Sequence, residues 1–539
     1  GGVINLYDLI SDSEKADINL KILGKNQDVI DYLKLSPINK KSYSKLESIY
    51  GDTAISLNLK FPLILDLPAE EIEYKSEVSI NDAFFQDIYN NLNIEKFSLS
   101  IEIENSNVNY SGRGNILNSN VNFSGNQFIE NNEINEEILG SYIISDQVFK
   151  SLFPTKEILF QGDIGVNFKI IENESGFSKI EGIGELDNLI LASDFIGEDL
   201  NFKNGKVQFL IRPYDDIFSG YLNINSRDLK VEVNSLFNRE RIVELDIQNF
   251  KSPLQDFRFN YKTDEDKIFI EGKKITLKKL DILEDSDFNS DNLELNLDVQ
   301  LLELAGMNFP YPKINFKKSN GFFNRMLFDL NGENDFHKIS IQDEVDGKKF
   351  ILESNYIPGL LKIFDIDLNI NKGSIKVEGV RPLHKLEYSG VVVGKNLVFF
   401  DAPFFANFFS IFSLDGFAQK LKDGGIIFNS LNANYKFGNN RLKIVDSLLK
   451  GSELGIQFDS VIGINDDYFF TNGSIIPAYT INTLITKFPI LGDIITAGSP
   501  EDGLIGANFR VEKIDGEYEV FYNPISVFVP NIIKNFLGN

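Results

Sequence analysis

The sequence lacks cysteine and tryptophan altogether, and its 539 residues include only two histidines and two methionines. Without cysteine the chain can form neither disulfides nor thiolate metal sites, and it has no thiol nucleophile. The two histidines, His337 and His384, are too few for a histidine-rich metal site and for most acid–base pairs. We expect each of them to be a surface or turn residue.

Long uninterrupted apolar runs are also absent. The longest apolar stretch, Leu397 to Leu414, contains Asp401, Pro403 and Asn407 and is a poor candidate for a membrane span. Basic residues are in the minority, 53 against 79 acidic ones, which leaves a formal net charge of −26. A nucleic-acid partner needs a basic surface, so this charge argues against one. It equally disfavours broad electrostatic adhesion to an anionic membrane.

Motifs with catalytic chemistry are missing as well. No phosphate-binding glycine loop, nucleophile elbow, zinc-binding helix or pair of catalytic carboxylates occurs with usable spacing. The segment from Asp285 to Asp291 resembles the start of a calcium loop, but it lacks the glycine at the sixth position. Asn296 also stands where a bidentate glutamate belongs, and an acidic turn is the alternative reading. We expect that the protein is not an enzyme, that it has no catalytic or metal-binding residue and that it binds no cofactor.

The strongest positive signal is an alternation of apolar and polar residues with a period of two. This pattern predicts strands with one apolar and one polar face. The apolar members are Phe97, Leu99, Ile101 and Ile103; Leu222 and Ile224; Leu229, Val231 and Val233; and Leu293, Leu295, Leu297 and Val299. The near-duplicate segments 108–112 and 121–125 indicate a strand-by-strand repeat.

Helical spacing is confined to short segments. It predicts helices over Asn26–Leu35 and Glu136–Phe153, each followed by proline, and over Tyr479–Lys487. Two further apolar segments near the C-terminus are expected to contact a membrane or partner, or to cap the sheet. They are a helix with Phe404, Phe405, Phe408, Phe409 and Phe412, and a tail with Ile532, Ile533, Phe536 and Leu537.

These patterns predict a mostly β chain with a few short helices. The sheet is expected to be long, curved and mainly antiparallel, and its apolar face must be covered in some way. A second sheet, packed helices or an apolar ligand would each serve. We divide the chain into a mixed strand and helix part (1–160), a part of repeated amphipathic strands (161–378) and a C-terminal region with capping helices (379–539).

The C-terminal region contains an ordered series of motifs that resembles the AsmA-like family, in its large YhdP-type branch. The motifs are Gly394 with Asp401-Ala402-Pro403-Phe404-Phe405; Asp423-Gly424-Gly425-Ile426-Ile427-Phe428; Gly473-Ser474-Ile475-Ile476-Pro477-Ala478-Tyr479; Pro489-Ile490-Leu491-Gly492; and Asn523-Pro524-Ile525-Ser526 with Pro530. The series covers roughly the last third of the chain, so the remainder is judged on its own residues.

The resemblance implies a bridge in the Gram-negative envelope that carries phospholipid between the inner and outer membranes. It implies a curved sheet whose apolar groove binds the lipid, and a periplasmic location. An inner-membrane anchor would lie upstream of residue 1, and envelope proteins would be further partners. Two other functions stay open: a scaffold for outer-membrane protein assembly, which would pair clients with its sheet edges, and a polysaccharide-cleaving enzyme on a β-helix.

Overall fold

A computed structural model describes most of the chain. The described residues are 1–10, 14–34, 46–68, 71–89, 92–104, 107–130, 133–152, 158–173, 176–186, 189–193, 199–202, 204–238, 241–280, 292–320, 322–364, 366, 369–400, 419, 421–422, 424–452, 454–463, 468–477, 507–514 and 517–523. The chain divides into two compact units, Gly1–Asp264 and Glu265–Asn539. The division at 160 and 378 stays a prediction.

The first unit is built almost entirely from strands. Its strands are β1 Gly2–Tyr7, β2 Lys15–Lys25, β3 Ile49–Pro62, β4 Glu73–Tyr89, β5 Leu92–Glu104, β6 Asn107–Ile116, β7 Ser119–Glu130, β8 Glu133–Ile144, β9 Ile158–Gln161, β10 Ile164–Asn173, β11 Gly176–Leu186, β12 Leu189–Ser193, β13 Leu200–Phe202, β14 Gly205–Tyr214, β15 Ile217–Asn225, β16 Lys230–Phe237, β17 Ile242–Lys251 and β18 Asp256–Lys262. Its helices are α1 Asn26–Lys34 and α2 Asp146–Leu152.

The main sheet of this unit is an antiparallel meander. Strands β1 to β8 pair in chain order, β8 pairs with β10, and the order continues through β11, β14 and β15 to β18. A second, three-stranded sheet contains β9, β12 and β13. Both helices and this small sheet lie in connections between strands, all at the same ends of the strands. We call this side of the meander, formed by strand ends, the capped edge. The opposite edge, with no helix or extra strand among its described residues, is the turn edge.

The second unit has a similar composition. Its elements are β19 Lys267–Leu277, β20 Leu293–Leu304, β21 Met307–Pro310, β22 Lys313–Ser319, β23 Phe322–Asn331, β24 Phe336–Glu344, β25 Gly347–Ser354, α3 Ile357–Ile363, β26 Ile370–Pro382, β27 Tyr388–Phe399, β28 Ile426–Gly438, β29 Arg441–Gly451, β30 Leu454–Gly463, β31 Phe469–Pro477, β32 Ala507–Ile514 and β33 Glu517–Asn523.

Strands β22 to β33 pair antiparallel in chain order, and β20 pairs antiparallel with β21 and β22. Strands β19 and β20 are parallel. A parallel pair cannot be joined by a tight hairpin, and residues 278–292 separate β19 from β20 in the sequence. Helix α3 connects β25 to β26, so the capped edge of this unit is the one at which β25 ends.

Local turn chemistry explains why the chain reverses so often. Asn439 and Asn440 form the two-residue connection between β28 and β29, and both have positive φ. Two consecutive positive φ values are typical of the turn that matches the twist of antiparallel strands, and asparagine tolerates them. Bulges, such as the one between Ile247 and Phe250, interrupt the regular pairing and bend the strands locally.

The predicted fold class is confirmed: a mostly β chain with a few short helices and a long, curved, mainly antiparallel sheet. The predicted helix at Asn26 is confirmed as α1. The predicted helix over Glu136–Phe153 is wrong in its first half, because residues up to Ile144 form strand β8 between β7 and β10. Pairing on both sides outweighs a local helical spacing.

The expectation for His337 is also wrong. This residue lies within β24 and is only 2% exposed, whereas His384 is exposed. Four of the predictions fall outside the described residues: the phenylalanine-rich helix, the helix over Tyr479–Lys487, the apolar tail and the acidic segment from Asp285 to Asp291.

Candidate functional site: an apolar sheet face

One face of the first unit carries an apolar row that crosses twelve strands. Residues directly opposite each other in an antiparallel pair point to the same face, so register defines the row. The central row contains Ile80, Leu99, Gly112, Phe123, Gly140, Phe168, Gly182, Phe209, Leu222, Val233, Ile247 and Phe259. At about 4.8 Å between strands, it extends for about 50 Å.

Two apolar rows flank the central one. The capped row, on the side of the capped edge, contains Val121, Tyr142, Val166, Gly184, Val207, Ile224, Val231, Phe250 and Phe257. The open row, on the side of the turn edge, contains Ile55, Val78, Ile101, Tyr110, Gly125, Ile138, Ile170, Ile180, Ile211, Gly220, Ser235, Leu245 and Tyr261. None of the three rows includes a charged residue, and together they make a band about 13 Å wide between its outer rows.

Glycine and phenylalanine alternate along the middle of the central row. A Cβ added to Gly112 would overlap the Phe123 ring, and one added to Gly140 would overlap Phe168. Each ring therefore lies across the glycine of a neighbouring strand and does not stand away from the sheet. The middle of the face is therefore flat, which we call low relief, and these rings do not project into the space above it.

Coverage of the face decreases from the capped edge to the turn edge. The small sheet contributes Leu189, Leu200 and Phe202 to a buried cluster with Val207 and Val231 of the capped row. Every member of the open row is instead half-buried. A face closed by a second layer would bury all its rows, so this gradient fits a face covered from one side only.

The second unit also has an apolar face, although several members of both of its rows are buried. One row contains Ile270, Leu297, Ile314, Phe328, Ile339, Leu352, Val377, Val392 and Ala433. A parallel row contains Ile268, Leu295, Phe316, Met326, Ile341, Phe350, Gly379, Gly390, Tyr435, Ile444, Ser460, Thr471, Val511 and Val520. Near the end of this row, Val511 belongs to the buried cluster that includes Phe428 and Leu449, and Val520 packs against it.

The structure joins predicted residues that lie far apart in the sequence. Leu99 belongs to the same row as Leu222 and Val233, and Ile224 pairs directly with Val231. Ile101, Leu295 and Leu297 also lie in apolar rows. The remaining predicted positions lie at the margins or in covered parts. Ile103 pairs with Ser76 and Val108, Phe97 and Leu229 are buried, Leu293 faces Lys318, and Val299 is buried beside Gly272.

Sequence reasoning missed the strands in the middle of the central row, β8, β10, β11 and β14. The signal was present in the near-duplicate of β6 and β7. These strands pair with each other, so the repeat places Tyr110 opposite Gly125 and Phe123 opposite Gly112. An aromatic residue and a glycine two positions apart in each copy are the sequence mark of this packing.

The opposite face of the first unit is mainly polar, with scattered exposed apolar residues such as Leu139 and Ile183. Ser79, Ser100, Ser111 and Ser124 follow one another across β4 to β7, and Glu102 is exposed nearby. Farther along, a cavity of about 410 Å³ is lined by Arg212, Tyr221, Asn234, Glu244 and Asp246 together with Leu210 and Leu236.

A polar group interrupts the apolar face at the turn edge. Glu136 is buried and accepts a hydrogen bond from the Tyr110 hydroxyl, and Glu172 is its register partner on β10. Burial, followed by the hydrogen bond to Glu136, raises the pKa of Tyr110 well above its usual range. The tyrosine therefore stays neutral and remains a hydrogen-bond donor.

Among the described residues no helix is both long and apolar enough to cross a membrane. No protein-family model, curated protein or solved structure matches this chain.

Proposed function

We propose that this chain binds phospholipid along its apolar sheet faces and carries it between the inner and outer membranes of a Gram-negative envelope. The observation that supports the proposal is the central row with its two flanking rows, which stay apolar across the sheet and half-buried on the side of the turn edge. Support for outer-membrane integrity would follow from that lipid supply.

The free energy of transfer explains why such a face is useful. A phospholipid with two acyl chains has on the order of 30 methylenes, and keeping each out of water is worth about 0.8 kcal/mol. Crossing an aqueous space unaided therefore costs roughly 20 kcal/mol or more. A continuous apolar band removes most of this cost at every position along it. The lipid can then diffuse along the face without a chemical step.

The cellular setting rests on the resemblance to the AsmA-like family. It supports a periplasmic protein with an inner-membrane anchor upstream of residue 1, with both membranes and other envelope proteins as partners. The acidic composition fits a role in which nucleic acid is not bound. No enzymatic step or cofactor enters the proposal, because the face offers apolar contact and no reactive group.

Site-specific photo-crosslinking in cells tests the proposal. The crosslinking residue is placed at Ile101, Val233 or Leu297, which are half-buried on the apolar faces, and bound lipid is identified by mass spectrometry. Glu102 and Asp298 are matched controls, because each is exposed on the same strand and its side chain points to the opposite face.

We expect phospholipid adducts at the three apolar positions and none at the two controls. Adducts exclusively to protein at the apolar positions would contradict lipid binding and would favour a scaffold that assembles outer-membrane proteins. Adducts of equal yield at Glu102 and Ile101 would show that contact with lipid does not depend on the apolar face.

A further inference from the structure

Basic side chains gather at the turn edge of the apolar face in the second unit. Lys348 of β25 is the register partner of Arg381 on β26, two residues beyond the pair Phe350 and Gly379. Since side chains two residues apart share a face, Arg381 and Lys348 lie on the apolar side of the sheet. In the first unit, the described positions at the same margin include Glu136 and Glu172 instead.

Arg381 is held by aromatic rings. Its guanidinium carbon lies 5.3 Å from the centre of the Tyr388 ring and 5.7 Å from that of Phe322. Lys348 forms an ion pair with Asp343 and donates a hydrogen bond to the Asn324 carbonyl at 2.9 Å. Arg381 is half-buried and, within the part of the chain that the structure describes, has no carboxylate partner. Its five N–H donors are therefore not committed to a carboxylate.

Two hydroxyls near this arginine lack a hydrogen-bond partner among the described residues. They belong to Tyr388 and Tyr435, and both are buried from solvent. A Cβ added to Gly379 would overlap the Tyr435 hydroxyl, which places that oxygen beside the residue two positions before Arg381. Burial raises the pKa of Tyr435 to about 12, so the hydroxyl keeps its proton. Polar groups buried without a partner are uncommon in folded proteins and call for an explanation.

We propose that Arg381, with Tyr388 and Tyr435 beside it, forms a binding site for the phosphate group of a phospholipid whose acyl chains lie on the neighbouring apolar rows. The site rests on the proposed lipid-binding function and adds a headgroup contact to it. Arginine suits this role because its planar fork can donate two parallel hydrogen bonds to a phosphate. The turn edge suits it because the headgroup can stay near solvent while the acyl chains lie over the face.

The test compares two lipids that differ only in the phosphate. Purified full-length chain is incubated with phosphatidic acid or with diacylglycerol, each with the same photoreactive acyl chain, and the labelled fraction is measured. We expect Arg381→Gln to lower capture of phosphatidic acid by about tenfold and to leave capture of diacylglycerol unchanged. Arg381→Lys, which keeps the charge but loses the fork, should retain an intermediate capture.

Arg325→Gln is the matched control, because Arg325 is exposed on β23 and pairs with Lys317 on the polar face. It should leave capture of both lipids unchanged. Equal capture of phosphatidic acid by wild type and Arg381→Gln would overturn the phosphate site while the lipid-binding function stands. An equal loss of both lipids would overturn it too, because Arg381 would then act on the face as a whole.

Inorganic phosphate separates a lipid headgroup from free phosphate as the source of the anion. We expect millimolar phosphate to leave phosphatidic acid in place, since the acyl chains provide most of the binding. Displacement by phosphate, together with no capture of diacylglycerol by the wild type, would overturn the headgroup site in favour of a free-phosphate site. Failure of the wild type to capture either lipid would overturn the proposed function together with this site.

Discussion

The Phe168 ring lies across Gly140 of the adjacent strand, in the space that a Cβ at Gly140 would occupy. The same relationship holds between Phe209 and Gly182, and between Phe123 and Gly112. Glycine weakens an isolated strand, and an aromatic ring laid over it restores apolar contact. The low relief of the central row is therefore a property of residue pairs on neighbouring strands.

Gly140→Ala should destabilise the first unit. The new methyl group has to displace the Phe168 ring, and overpacking of this kind costs about 1–3 kcal/mol. Chemical denaturation of the purified chain measures the loss. Gly165→Ala is the control, because a Cβ at Gly165 has no neighbour within 4 Å. If both variants lose the same free energy of unfolding, the contact between the Phe168 ring and Gly140 makes no specific contribution to stability.

His337 should make the second unit less stable in mildly acidic solution. It is almost fully buried, its Nδ1 lies 2.9 Å from the Ser354 hydroxyl, and Nε2 is 3.6 Å from Asp335. Burial lowers its pKa, an effect that Asp335 opposes in part. The unfolded chain therefore takes up a proton at about pH 6.5 while the folded chain does not. The stabilisation that comes from keeping His337 neutral is fully present above that pH. It is lost as the pH falls toward the pKa of His337 in the folded chain.

Urea denaturation at about pH 7.5 and about pH 5.5 measures this dependence. His337→Gln should flatten it, whereas replacing the exposed His384 by glutamine should leave it unchanged. These are the only two histidines in the sequence, so the comparison covers every imidazole. If the pH dependence of stability seen in the wild type persists in His337→Gln, it arises from carboxylates and not from His337.

Ile101→Asp should reduce lipid capture more than it reduces stability. Ile101 is half-buried in the open row, so the carboxylate of the introduced aspartate would lie where we place the acyl chains. Capture of a photoreactive phospholipid should fall by about tenfold. Ser100→Asp adds the same charge to the opposite face of the same strand and should leave capture unchanged. Parallel losses of capture and thermal stability in Ile101→Asp would instead identify an ordinary core position.

Tyr110→Phe should destabilise the chain by about 1–3 kcal/mol, because a buried carboxylate of Glu136 loses a hydrogen-bond donor. The same measurement on Tyr214→Phe gives the reference, since Tyr214 is exposed at the end of β14. Equal stability of Tyr110→Phe and wild type would mean that other groups satisfy Glu136 fully.

Several strands could be predicted because their signal is local. Parts of β5, β15, β16 and β20, such as Phe97–Ile103 and Leu293–Val299, alternate between apolar and polar residues. Burial of one face needs no more than this alternation. The segment from Glu136 to Ile144 could not be predicted in the same way. Its apolar residues also match a helical period, and pairing with β7 and β10 decided in favour of a strand. His337 shows the same limit, since its burial depends on β25 and on Phe309.

The sequence by itself determined that the chain is rich in two-faced strands with frequent reversals, because backbone alternation and turn chemistry depend on neighbouring residues. Tertiary structure decided which residues share a row, where rings lie over glycines, and that Arg381 meets Phe322 and Tyr388. Register links residues that are distant along the chain, and no local period encodes it. The composition of each face is therefore readable from the sequence, whereas the continuity of a face across the sheet is a property of the fold.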